Sequence, residues 1–119
     1  FFPSRAEGWN LELLEMMSCG KPVVTTDYSA HTEFCTDENS YKVKPKSLEK
    51  AFDGMYFREE DKGNWASLKG IENDLVEALR GVYEQWKKDG DVVNKEGIKT
   101  AQNMSWAVTA NKVKEAINA

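Results

Sequence analysis

The sequence predicts an α/β fold, a parallel sheet fragment followed by packed helices, on three observations. A β-branched run, Val23-Val24-Thr25-Thr26, closely follows a short helical pattern, and Phe1-Phe2 precede that pattern as the tail of a buried strand. Strand, loop, helix and strand in so short a space suggest a βαβ unit, whose strands pair in parallel. From Ile71 onward the apolar period turns helical and stays so.

Each element has a local reason. Asn10 stands where a helix N-cap belongs, because its side-chain oxygen can accept from a first-turn amide that has no partner within the helix. The helix then runs from Leu11 to about Ser18, and Gly20 just past its end is the usual left-handed stop. Pro22 is tolerated at the head of the next strand, 23–26, where its missing N–H is not yet needed. Residues 40–43 form a weaker strand. Over 45–63 helical signs at Leu48, Ala51 and Phe52 compete with Gly54 and the polar cluster 59–63. Ile71, Leu75, Leu79, Val82, Tyr83 and Trp86 then recur at helical spacing, and Lys87 and Lys88 before Gly90 place positive charge at the negative end of the dipole. A further helix is predicted over 93–104, with Gly97 inside it costing about 1 kcal/mol relative to Ala. Ser105 caps a last helix carrying Trp106, Ala110, Val113 and Ile117 on one stripe.

Composition narrows the function classes. At 119 residues the chain is read as a single domain, or part of one. A net charge of -4 argues against a phosphate-backbone binder, which presents a basic face. No stretch approaches the ~18 unbroken apolar residues of a membrane helix, and no secretion signal opens the chain. Cys19 and Cys35 form no CxxC pattern and His31 is the single histidine, so no metal site is expected; reduced thiols point to a cytoplasmic protein. The sequon Asn103-Met104-Ser105 reads as a chance match in that setting. An opening on Phe1-Phe2-Pro3 in place of Met implies processing or a segment of something longer.

The chemistry concentrates in residues 3–24. The loop before the first helix lies at the carboxyl end of a parallel strand, where open α/β sheets place their ligands. A helix N-terminus there offers free amides and about half a positive charge, suited to phosphate, with Gly8 permitting close approach and the Asn10 and Leu11 amides as donors. Two acids, Glu7 in the loop and Glu15 on the helix, stand with seven residues between them. At about 100° per residue Leu13, Leu14, Met16 and Met17 share one arc, and Glu15 falls opposite them beside Glu12, free of the core. From spacing alone both could be ordinary solvated carboxylates.

The run Pro3-Ser4-Arg5-Ala6-Glu7-Gly8-Trp9-Asn10, the Glu-x7-Glu pair, and Gly20-Lys21-Pro22-Val23-Val24 together resemble the donor-site signature of the GT-B retaining glycosyltransferases of the family-4 type. The resemblance is specific over about the first thirty-five residues, to Tyr28-Ser29-Ala30-His31-Thr32-Glu33-Phe34. Gly63-Asn64-Trp65-Ala66 and Ser105-Trp106-Ala107 look like looser features of the same domain. It implies that residues 1–119 are the later part of a Rossmann-like C-terminal donor-binding domain, without the acceptor domain and the basic residues that grip pyrophosphate. The implied activity is transfer of a sugar from a nucleotide-diphosphate donor with retention, without a metal or other cofactor, and the isolated chain is expected to be silent. Carried over by position, Glu7 would meet hydroxyls of the transferred sugar and Glu15 the ribose. The amides of Gly8, Trp9, Asn10 and Leu11 would face the sugar and diphosphate. Many members have glycine where this chain has Asn10, which leaves the sugar's identity open.

Other residues read more plainly. His31 lacks a carboxylate partner of defined geometry, Trp9 packs or stacks on a ligand, and Trp65, Trp86 and Trp106 are core candidates. Lys42, Lys44, Lys46 and Lys50 form a solvated basic stretch. Two further function classes stay open: a sugar-nucleotide epimerase, which needs an acid and base not identifiable here, and a non-catalytic interaction module, which predicts an exposed apolar patch and no nucleotide response.

Overall fold

The computed structural model describes residues 1–58, 60 and 62–119; Glu59 and Asp61, within the polar cluster 59–63, lie outside the described residues. Helix α1 (Leu11–Ser18) has the bounds its caps predict. The Asn10 Oδ1 accepts from the Leu13 amide, and Gly20 follows with φ of 68°. A side chain at Gly20 would be strained by that φ and would also come within 3.1 Å of the Ile98 Cδ1, so this glycine closes α1 and lets a later helix approach.

Strand β1 (Val24–Thr26) pairs in parallel with β2 (Tyr41–Val43), Thr25 opposite Lys42. Phe2 bridges to Thr25 on the other side, also in parallel, its amide donating to the Val24 carbonyl at 2.8 Å. The spatial order is therefore Phe2, β1, β2, with β1 buried throughout. This is the predicted parallel sheet, and its core is Leu13, Met17, Val23, Phe34 and Cys35, with Phe2, Leu14 and Met104 against it. Met16, expected in the buried arc, is 41% exposed, because only the Leu13 and Met17 side of α1 faces the sheet.

The ambiguous stretch resolves as a second sheet. β3 (Leu48–Lys50) and β4 (Asn64–Ala66) pair antiparallel, Glu49 opposite Trp65. Helix is ruled out at its far end by the Asp53 Oδ1, which takes the amides of Met55, Tyr56 and Phe57 at 2.8 to 3.0 Å and folds them into a turn. Those amides hold the Asp53 carboxyl below its usual range.

Helix α2 (Glu72–Asp89) packs on β2 and β1, with Val43, Ile71 and Leu75 as a smaller core. Helix α3 (Lys95–Asn103) packs on α1 and starts later than the predicted 93. Asn94 sets that start: its Oδ1 caps the Gly97 amide at 2.8 Å, while its Nδ2 donates to the carbonyls of Asn39 and Lys21. A Cβ at Gly97 would fall 2.5 Å from that Nδ2, so the glycine expected to weaken the helix is what admits its cap.

Helix α4 (Trp106–Asn118) is capped by Ser105 as predicted but buries none of its residues. Trp106 is 89% exposed and Trp86 54%, so neither is core, and Leu79 and Tyr83 are also exposed. The α2 stripe is buried only at its start, at Ile71 and Leu75; Leu79, Tyr83 and Trp86, like the stripe of α4, stay exposed. The radius of gyration, 16.8 Å, exceeds the roughly 13.5 Å of a compact chain this long, as an outlying helix requires. The lysine stretch is partly neutralised: Lys42 pairs with Asp37 at 3.1 Å, and Lys46 with Asp74 at 3.2 Å.

Candidate functional site

The loop 3–9 leaves the sheet beside β1 and enters α1 through Asn10. Asn10 adopts φ 68° and ψ 63°, a left-handed conformation that asparagine tolerates better than most non-glycine residues. It is buried, and because its Oδ1 faces the Leu13 amide, its Nδ2 is the end left without a protein acceptor. The Asn10 carbonyl takes the Leu14 amide at 3.3 Å. Among the described residues the amides of Leu11 and Glu12 have no protein acceptor, so the head of α1 keeps its partial positive charge available.

Glu7 is half-buried and held on several sides. The Ser4 hydroxyl donates to its Oε1 at 2.7 Å, its amide donates to the Ser29 Oγ at 2.9 Å, and the same Ser29 hydroxyl donates to its carbonyl at 2.8 Å. Ser29 has φ 77° and ψ -163°, a region otherwise nearly reserved for glycine and costing on the order of 1–3 kcal/mol. Upstream, the Thr26 hydroxyl donates to the Ser4 carbonyl at 2.5 Å and that of Thr25 to the Phe2 carbonyl at 3.1 Å.

The outer side of the loop is held by the hairpin. Arg5 and Ala66 exchange a bond at 2.7 Å between Ala66 N and Arg5 O and one at 3.1 Å between Arg5 Nε and Ala66 O. The guanidinium also reaches Glu49 at 2.5 Å and lies over the Trp65 ring, 4.3 Å from its centroid. The Ser67 hydroxyl on Glu49, with the cations of Lys69 and Arg5, holds that carboxyl below its usual range. Trp65 is half-buried, so it is the one predicted core tryptophan that packs inward.

The remaining predicted site residues fall as follows. Gly8 is exposed, and a Cβ there would meet nothing within 4 Å, so the space before the loop is open. Trp9 rests its ring on Phe34, centroids 5.4 Å apart, and is 39% exposed; Leu11 is exposed. Glu15 is exposed on the side of α1 away from Leu13 and Met17, as the arc predicts, and its carboxylate has no partner among the described residues. His31 is fully buried: its Nε2 lies 2.6 Å from the Thr26 carbonyl, which can only accept, so Nε2 donates to it, and among the described residues Nδ1 has no partner. It ties the core together rather than facing the open side.

Cys19 and Cys35 are both free thiols, the second buried, and burial pushes it up to about 11. Among the described residues no three His, Cys, Asp or Glu side chains gather to hold a metal ion, and no helix is long and apolar enough to cross a membrane. Sequence reasoning missed Ser29, Arg5 and the hairpin. The partners of Ser29 and Arg5 lie 22 to 61 residues away and the hairpin pairs residues 14 to 18 apart, and no local pattern marks such pairings.

The geometry therefore gathers an open glycine, a tethered carboxylate and a free helix head at one end of a parallel strand. No curated protein and no solved structure matches the chain. Residues 1–56, which hold every site residue named above except those of β4 and its flank, match the family model described as Glycosyl transferases group 1, and this front part of the chain is thereby similar to a glycosyltransferase family.

Proposed function

We propose that this chain supplies part of the donor site of a retaining glycosyltransferase, acting on a sugar carried by a nucleoside diphosphate. Glu7 accepts from hydroxyls of the transferred sugar, and Glu15 accepts from the ribose. The amides of Gly8, Trp9, Asn10 and Leu11 face the sugar and the diphosphate, where a helix N-terminus stabilises the charge that builds on the leaving group. The observation that carries this reading is the half-buried Glu7 beside the free head of α1, inside the region that matches the transferase family. Residues 1–119 are then the later part of the donor-binding domain. The acceptor is read by a domain outside this sequence, and the isolated chain does not turn over.

The test is kinetic, on the complete polypeptide that carries this chain, with UDP-, GDP- and ADP-sugars. A ribose contact is made equally in ground and transition states, so Glu15→Ala raises the donor KM; a sugar contact tightens as the glycosidic bond breaks, so its loss in Glu7→Ala lowers kcat. Each effect is expected to be roughly ten- to a hundredfold, the worth of one charged hydrogen bond. Unchanged nucleotide affinity in Glu15→Ala removes the ribose role, and an inverted product anomer removes retention. The exposed stripe of α4 is what an interaction module would present. That second reading gains if no nucleotide sugar binds and α4 captures a partner instead.

A further inference from the structure

We propose that Ser29 is a positioning residue for Glu7, an inference that rests on the donor-site reading above. The hydroxyl of Ser29 both accepts from the Glu7 amide and donates to the Glu7 carbonyl, so it grips the main chain of that residue at both polar groups. One hydroxyl can do this because it offers one proton and two lone pairs. The grip comes from a residue whose own backbone is in the glycine region, at φ 77°, and whose carbonyl is fixed in turn by the Thr32 amide at 3.1 Å and hydroxyl at 2.7 Å. Glycine would relieve the strain but could not make either bond to Glu7. The strained backbone is therefore explained by what the side chain reaches.

Ser29 is also the last of a series. Thr25, Thr26 and Ser29 capture the carbonyls of Phe2, Ser4 and Glu7 in the same order along both segments. The first two fasten the loop to the buried strand, and the third carries the fastening out to the carboxylate-bearing residue. With its main chain held and its Oε1 bonded to the Ser4 hydroxyl, Glu7 has its carboxylate set before any sugar arrives, which is the preorganisation a transition-state contact requires.

Amide hydrogen exchange by NMR on this chain tests the grip. In Ser29→Gly the Glu7 amide should exchange about tenfold faster, the worth of one hydrogen bond, while the urea midpoint stays at or above that of Ser29→Ala, which keeps the strain. Unchanged Glu7 protection in both variants overturns the positioning role. In the complete polypeptide, Ser29→Gly should lower kcat about tenfold and leave the donor KM within about twofold, a split that simple destabilisation would not produce. Faster exchange with unchanged kcat in an active enzyme also overturns the role. A wild-type protein that turns over no nucleotide sugar overturns the donor reading instead, and the exchange result then still reports the tie between Ser29 and Glu7.

Discussion

The front of the molecule, α1 with β1 and β2, and its last helix, α4, carry apolar stripes of the same helical kind and meet opposite fates. Leu13 and Met17 of α1 are fully buried, whereas Trp106 and Ile117 of α4 are 89% and 78% exposed. The difference lies in what stands opposite: Leu13 and Met17 of α1 pack with Val23, Phe34 and Cys35 and α3 lies beside the helix, whereas α4 makes no substantial contact with another element among the described residues. Amphipathic periodicity thus reports the capacity to bury a face, and a partner decides whether the face is buried.

The comparison breaks most sharply at Leu13. Leu13→Ala leaves a cavity in the front core and should lower unfolding stability by roughly 2–5 kcal/mol in urea titrations. A loss below 1 kcal/mol would mean that the core is as loosely packed as α4.

A smaller effect comes from Cys35, buried in the same core. Its thiol is pushed up to about 11 from an ordinary 9.0 because burial penalises the thiolate, with Asp27 adding to the rise and the Ser40 bond and Lys42 opposing it. Below pH 9 the thiol is protonated whether the chain is folded or not, and no stability changes hands. Between pH 9 and about 11 the unfolded chain gives up a proton that the folded chain keeps, so stability falls as pH rises. Cys35→Ala should flatten that decline relative to the wild type, and equal slopes in pH-dependent denaturation would show that the thiol is not shielded.

The smallest change is expected at Trp106. Trp106→Ala should move stability by no more than about 0.5 kcal/mol, the range of surface substitutions, despite removing the largest side chain in α4. A loss of 2 kcal/mol or more would show that the stripe is covered in solution.

Much of the site was legible before the structure, because its signals are local. Asn10 and Gly20 bound α1 through bonds and dihedrals within a few residues, and the position of Glu15 away from the core follows from the helical angle alone. The roles of Glu7 and Glu15 rest on resemblance; their placement rests on geometry. What held Glu7 was not legible, since the Ser29 hydroxyl acts across 22 residues and the Arg5 side chain reaches Ala66 across 61.

The sequence by itself determined the caps of α1 and α4, the extended backbone of β1 and the helical period of α2, since each depends on residue type at short range. Tertiary structure alone decided that 48–50 and 64–66 pair as a hairpin, that Ser29 takes a strained backbone to grip Glu7, and that α4 goes unburied. The reason is physical: a cap or a turn is satisfied by neighbours in the chain, whereas pairing, strain and burial depend on which distant groups arrive at the same place.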